Sequence, residues 1–303
     1  MVCAVGLRGL ILVAASAVVA DAHAVTPYTP EAGGGWISAS YDYVHMQNHL
    51  DADGKANDIG SMNSQRLGVS AEYGVTDRFA IYGGVPYVQS QYTGSHPHVL
   101  VTPDGVAHVS QTDDGSYHGS FQDVSIGTKY AMSVGGWIVT PGVEYGRPTH
   151  DYPDFTHAAI GTNESILSFG VATGRILSEP LDRFYIECDY LYAISEQFHG
   201  TTPTRSIVKL ETDFFATERL MMRLFVIGAK THNGLGPADF RSDPDAFENH
   251  EQLGRVDSIE VAAGASYRLT GRVSMFSSIS TMTWGENVHE VKYDVRIGIS
   301  RDF

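Results

Sequence analysis

Apolar and polar residues alternate one by one along most of the 303-residue chain. This is the period of strands that present one face to apolar and the other to polar surroundings. The alternation predicts twelve strands, over 35–47, 63–75, 79–92, 121–133, 137–149, 164–177, 184–197, 204–216, 220–231, 256–269, 273–284 and 290–303. Each is as long as the roughly 9–11 residues a tilted strand needs to cross a bilayer, or a little longer. Helical periodicity is slight.

Every second connection is short: Val75-Thr76-Asp77-Arg78, Ser133-Val134-Gly135-Gly136, residues 178–183 (SEPLDR), Ala216-Thr217-Glu218-Arg219 and Leu269-Thr270-Gly271-Arg272. In four of these an Arg stands just before the apolar residue that restarts the alternation: Phe79, Phe184, Leu220 and Val273. The intervening connections, at about 48–62, 93–120, 150–163, 198–203, 232–255 and 285–289, are mostly longer and rich in Gly, Asp, Asn or His. Short turns at one end and long loops at the other are the layout of bacterial outer-membrane barrels. The expected fold class is therefore all-β, a transmembrane up-and-down antiparallel barrel of about twelve strands spanning 25–303. A soluble sandwich shows no such alternation of loop lengths.

The alternation also assigns faces. Leu67, Val69, Ala71 and Tyr73 oppose Arg66, Ser70 and Glu72; Leu167, Phe169 and Val171 oppose Ser168 and Ala172; Val208, Leu210 and Phe214 oppose Lys209, Glu211 and Asp213. A lipid-facing Arg or Lys at mid-bilayer costs about 2–4 kcal/mol, so the charged sets point inward. The first and eleventh strands are ambiguous, since Met275 and Ile279 compete with Phe276, Met282 and Trp284 for the outer face. Trp36, Tyr87, Trp137, Tyr145, Tyr267 and Trp284 near strand ends suit interfacial girdles or plain sheet packing.

Composition adds a destination. Arg8, the apolar run 9–20 (GLILVAASAVVA) and Ala22-His23-Ala24 have the form of a signal peptide over 1–24, with cleavage leaving Val25 first. That run is shorter than the roughly 17–25 residues of a spanning helix. Cys188 is then the single remaining cysteine, so the exported chain has no intrachain disulfide. A net charge of -15 argues against nucleic acid as a partner. The expected partners are outer-membrane lipid, the barrel assembly machinery and a small-molecule solute.

The last strand ends on Phe303, and alternate positions behind it hold Ile299, Ile297, Val295 and Tyr293. A terminal aromatic on an amphipathic strand resembles the signal that the assembly machinery reads; Arg301 departs from it. Residues 73–92 (YGVTDRFAIYGGVPYVQSQY) and 123–130 (DVSIGTKY) carry a second resemblance. They look like the outer-membrane protein family of the phenol meta-degradation pathway. Gly74, Thr76, Asp77, Arg78, Pro86, Tyr87, Asp123, Gly127, Lys129 and Tyr130 fill its pattern, while Gln122 stands where that family has Gly. The resemblance implies a barrel that transports small, often aromatic or hydrophobic, compounds.

The inward set is rich in ionisable groups: Glu72, Asp123, Glu144, Glu187, Asp189, Glu211, Asp213, Glu260 and Asp294 against Arg66, Lys129, Arg205, Lys209, Arg223, Lys292 and Arg296. Two readings stand side by side, a polar pathway whose charges select solutes and a salt-bridge network filling a closed barrel. Nearly all of the histidines after residue 24 fall at the long-loop end, and His96-Pro97-His98 offers two imidazoles for Zn²⁺ or Cu²⁺ capture. A rim hydrolase would need a pair such as Ser165 with His157 or His199, or Asp151 with His150, but no GxSxG is present. Gly33-Gly34-Gly35 precedes a strand, not a helix, so phosphate cradling is not supported and no cofactor is expected.

Overall fold

The computed structural model describes residues 26–101, 107–236, 240 and 248–303. The segment read as a signal peptide lies outside them. Strands β1 (Gly35–Leu50), β2 (Ala56–Gly74) and β3 (Phe79–Thr93) are followed by a small hairpin, β4 (Val99–Val101) with β5 (Ala107–Val109), in the loop that leaves β3. Then come β6 (His118–Phe121), β7 (Asp123–Tyr130), β8 (Met132–Val134), β9 (Trp137–Pro148), β10 (Ile166–Ile176), β11 (Phe184–Ser195) and β12 (Thr204–Phe215). The last are β13 (Leu220–His232), β14 (Asp257–Arg268), β15 (Val273–Glu286) and β16 (Val288–Asp302). Every barrel pairing is antiparallel between chain neighbours, and β16 returns to pair with β1, closing a barrel of twelve strands.

The fourth barrel strand is β6, β7 and β8 in line. Its break at Gln122 lies beside Pro86, which has no N–H to give the ladder; Gln122 N instead donates to Pro86 O at 3.0 Å. The short turns share one device. Thr76, Thr217 and Thr270 each accept, through Oγ1, the backbone N–H groups two and three residues on, at 2.9–3.3 Å. A hydroxyl that closes the turn on its own backbone explains the recurring Thr-x-Arg-apolar sequence. The turn at Gly135 and Gly136 uses positive φ at both residues (57° and 83°), the type I′ geometry that glycine supplies without strain.

The faces follow the alternation. Leu67, Ile126, Leu210, Leu224, Ile279 and Ile297 are exposed on the outer wall, while Asp42, Glu72, Lys129, Glu187, Lys209, Asp213 and Arg296 are buried in the interior. The ambiguity of the eleventh strand comes from a bulge: Ile259 faces Trp284 but Glu260 faces Met282, which leaves Thr283 as the extra residue. Met275 and Ile279 therefore point outward on one side of it and Trp284 on the other, and Met282 lines the interior. On the inner face a ring covers a glycine where strands approach closely, Tyr82 over Gly127, Tyr185 over Gly174 and Phe276 over Gly298, and at the seam the terminal Phe303 covers Gly35 in the same way.

Candidate functional site in the barrel lumen

The interior divides into two storeys. At the turn end, Lys129 Nζ lies 2.9 Å from Glu72 Oε2, and Lys209 Nζ reaches Glu187, Asp189 and Glu211 at 2.6, 3.0 and 3.2 Å. Arg223 sits 3.5 Å from both Glu211 and Asp213. The register makes this cluster necessary. Glu187 and Glu211 are direct cross-strand partners, a like-charge pair that the Lys209 ammonium between them neutralises.

A second element completes that storey. Residues 26–30, which precede β1, run inside the barrel instead of along its rim. Lys129 Nζ donates to Thr26 Oγ1 at 2.6 Å, Thr140 Oγ1 donates to Pro27 O at 2.5 Å, and Tyr28 packs on Tyr185 with ring centres 5.9 Å apart. Tyr185 in turn donates to Glu187 at 2.6 Å. The segment is anchored at its exit, where Thr29 Oγ1 and Ala32 N bond to Asp77 of the first turn. No sequence pattern marks this segment as interior.

Above it a cavity of about 940 Å³ opens toward the loop end. Arg66, Glu144, Arg205, Glu260, Asp294 and Arg296 line it, together with Asp123, whereas Glu72, Lys129, Glu187, Asp189, Lys209, Glu211, Asp213 and Arg223 belong to the storey below. Asp42, on the first strand whose faces were ambiguous, also lines it and pairs with Arg296. Lys292 does not take its expected inward place. It is the extra residue of a bulge opposite His45 and Met46; Val291 lines the cavity instead, and Lys292 pairs with Glu290 at 2.6 Å. Glu164, from the loop before β10, is buried at the cavity wall; burial pushes its carboxyl up to about 7 against the pull of Arg205.

Long loops form the rim. Asp113 ties two of them together, accepting from His98 N at 2.9 Å within its own loop and from Thr156 Oγ1 at 2.6 Å and Ala158 N at 3.1 Å in the loop before β10. These bonds hold its carboxylate well below the usual range. The pair His96/His98 does not form a ligand pair as the sequence suggested. His96 is exposed and its ring turns to Ser95, while His98 is buried against His157, His250 and Phe155. Desolvation and the neighbouring imidazoles hold His157 down to about 3, so its ring is neutral. Of the hydrolase candidates, Ser165 N bonds to Glu196, His199 to Asn249, and His150 to Ser120 and Thr149.

The closed twelve-stranded antiparallel barrel with a charged interior is the fold of outer-membrane barrel channels. It is similar to an outer membrane channel from Pseudomonas putida F1, at 11% identity over 91% of this chain and 97% of that one, with a TM-score of 0.68. It is also similar to the NanC porin, at 10% identity over 87% and 98% with a TM-score of 0.51. The translocator domain of the autotransporter NalP from Neisseria meningitidis matches at 8% identity over 90% of each chain, also at 0.51. No protein-family model and no curated protein matches the chain, so the phenol-pathway family rests on its motifs alone.

Proposed function

We propose that the chain is an outer-membrane channel for small solutes, closed at rest by its own residues 26–30. The observation that carries this reading is the division of the lumen. A cavity lined by charges of both signs occupies the loop end, and a short segment held by side-chain contacts, not by strand pairing, occupies the turn end. A segment so held can withdraw without breaking the barrel. Cleavage after residue 24 would make it a free chain end. Two of the similar structures are an outer membrane channel and a porin, which accords with passage.

The cavity sets Val44, Met46, Met62, Ile207 and Val291 beside Arg66, Arg205, Arg296, Glu144 and Glu260. This suits solutes with an apolar body, aromatic ones included, that carry a polar or charged group. In the same reading lipid covers the outer wall, and the assembly machinery reads Tyr293, Val295, Ile297, Ile299 and Phe303.

The test is single-channel recording of refolded protein in planar bilayers, with and without residues 26–30, together with solute flux into proteoliposomes. Brief openings of the full chain and long ones of the shortened chain are expected. No conductance and no flux from either protein overturns the channel and leaves the ion-pair cluster as the filling of a closed barrel.

A further inference from the structure

At the rim, far from the turn-end ion pairs, three donors meet. His98 Nε2 lies 3.1 Å from His250 Nε2, and His250 Nε2 lies 3.2 Å from Glu251 Oε1. The three ligand atoms all fall within 4.8 Å of one another. Donors on a tetrahedral ion at roughly 2.0–2.1 Å stand about 3.3 Å apart, close to the 3.1 and 3.2 Å that separate His250 Nε2 from its two neighbours.

The surroundings fit the same purpose. His98 Nδ1 faces Asp113 Oδ2 at 3.5 Å. A carboxylate on that side favours the tautomer that leaves Nε2 as the lone pair, the arrangement that orients metal-bound histidines. Hydrogen bonding accounts for the His98–His250 approach, but Nδ1 of His157 and Nδ1 of His289, both buried, have no hydrogen-bond partner among the described residues. His157 lies against the cluster, centred 3.9 Å from His98, and His289 packs behind it, centred 5.5 Å from His157. These two imidazoles, His157 the nearer, are the candidates for a fourth donor. His98, His157, His250, Glu251 and His289 all line the cavity.

We infer that His98, His250 and Glu251 bind a divalent transition-metal ion of the zinc type, with Asp113 positioning His98 and His157 or His289 completing the shell. The imidazole-rich set selects such an ion over Mg²⁺ or Ca²⁺, which prefer all-oxygen shells. The ion joins the loop after β3 to the helical turn His250–Leu253 and so pins two loops across the cavity mouth. This site is independent of whether the barrel conducts.

The experiment is Zn²⁺ titration of the full chain refolded in detergent, followed by calorimetry and by the visible absorption of a Co²⁺-loaded sample. One ion per chain, a tetrahedral Co²⁺ spectrum and indifference to excess Mg²⁺ are expected. The double variant His98→Ala/His250→Ala should bind at least about 100-fold more weakly, and Asp113→Asn about 10–100-fold. His96→Ala should bind as the parent does. Heat-modifiable gel mobility identifies folded barrels; should the double variant misfold, Glu251→Gln, expected to weaken binding at least tenfold, takes its place. No saturable Zn²⁺ binding by the parent, unchanged binding in the folded ligand variant, or equal loss in His96→Ala overturns the site.

Discussion

Asp42 on the first strand and Arg296 on the last are direct register partners across the seam where the barrel closes, and their side chains form a buried ion pair. Arg66 stands opposite Asp42 on the other side, so one carboxylate lies between two guanidinium-bearing positions of adjacent strands. Contact between residues 254 apart in sequence exists only once the ring is complete.

Removing one partner of a buried pair leaves the other uncompensated. Asp42→Asn is expected to lower stability by about 3–5 kcal/mol. Arg296→Met together with Asp42→Leu should cost clearly less than the two single changes added. Urea unfolding of vesicle-inserted protein, followed by gel mobility, measures both; additive losses would show that the pair is not coupled.

The threonine caps of the short turns give a milder test. Thr217→Ala loses hydroxyl contacts to two backbone N–H groups at an exposed turn, and about 1 kcal/mol of stability is expected to go with them. Thr217→Ser retains them. The comparison is of unfolding midpoints, and a Ser variant as unstable as the Ala variant would remove the hydroxyl from the explanation.

Leu224 stands in the middle of β13 and is 60% exposed on the outer wall. On the membrane reading, Leu224→Arg costs about 2–4 kcal/mol of insertion free energy. The same change at Leu269, in a turn, should cost little. Folding into lipid vesicles read by tryptophan fluorescence separates the two, and equal effects would argue against lipid on that face.

Glu164 ties stability to pH. Its folded value of about 7 exceeds the ordinary carboxylate value of 4.5, so the folded state holds a proton that the unfolded chain releases. The contribution is complete below the ordinary value and is lost as pH rises to about 7. Relative to the parent, Glu164→Gln should therefore gain stability between pH 5 and pH 8, on the order of 2–3 kcal/mol. Denaturation midpoints at the two pH values report it; a constant difference would place the proton elsewhere.

The barrel was legible because lipid outside and polar groups inside impose a two-residue period that the chain must write down. Strand ends agree with the alternation to within a few residues, except where both faces are polar. β2 begins at Ala56 and not near 63, because its added residues pair with β1 at the loop end, where no apolar face marks them. Bulges hid the rest, since Thr283 and Lys292 each shift the phase by one residue and send the following side chains to the other face. The rim cluster was legible only as a surplus of loop histidines. His98, His157, His250 and His289 come from four separate stretches of chain, and only the closed ring brings them together. Residues 26–30 follow no period at all, because a segment that fills a lumen has no repeating surface to match.

Only residues 31–34 separate that segment from the first residue of β1. In the proposed channel, a stopper on so short a leash faces its seat at an effective concentration in the ~mM range. Its return is a first-order event that does not depend on protein concentration or on any soluble partner. A free peptide of the same sequence would compete poorly with it. On that proposal, the open time of the pore is set by how long Thr26, Pro27 and Tyr28 stay away from Lys129, Thr140 and Tyr185.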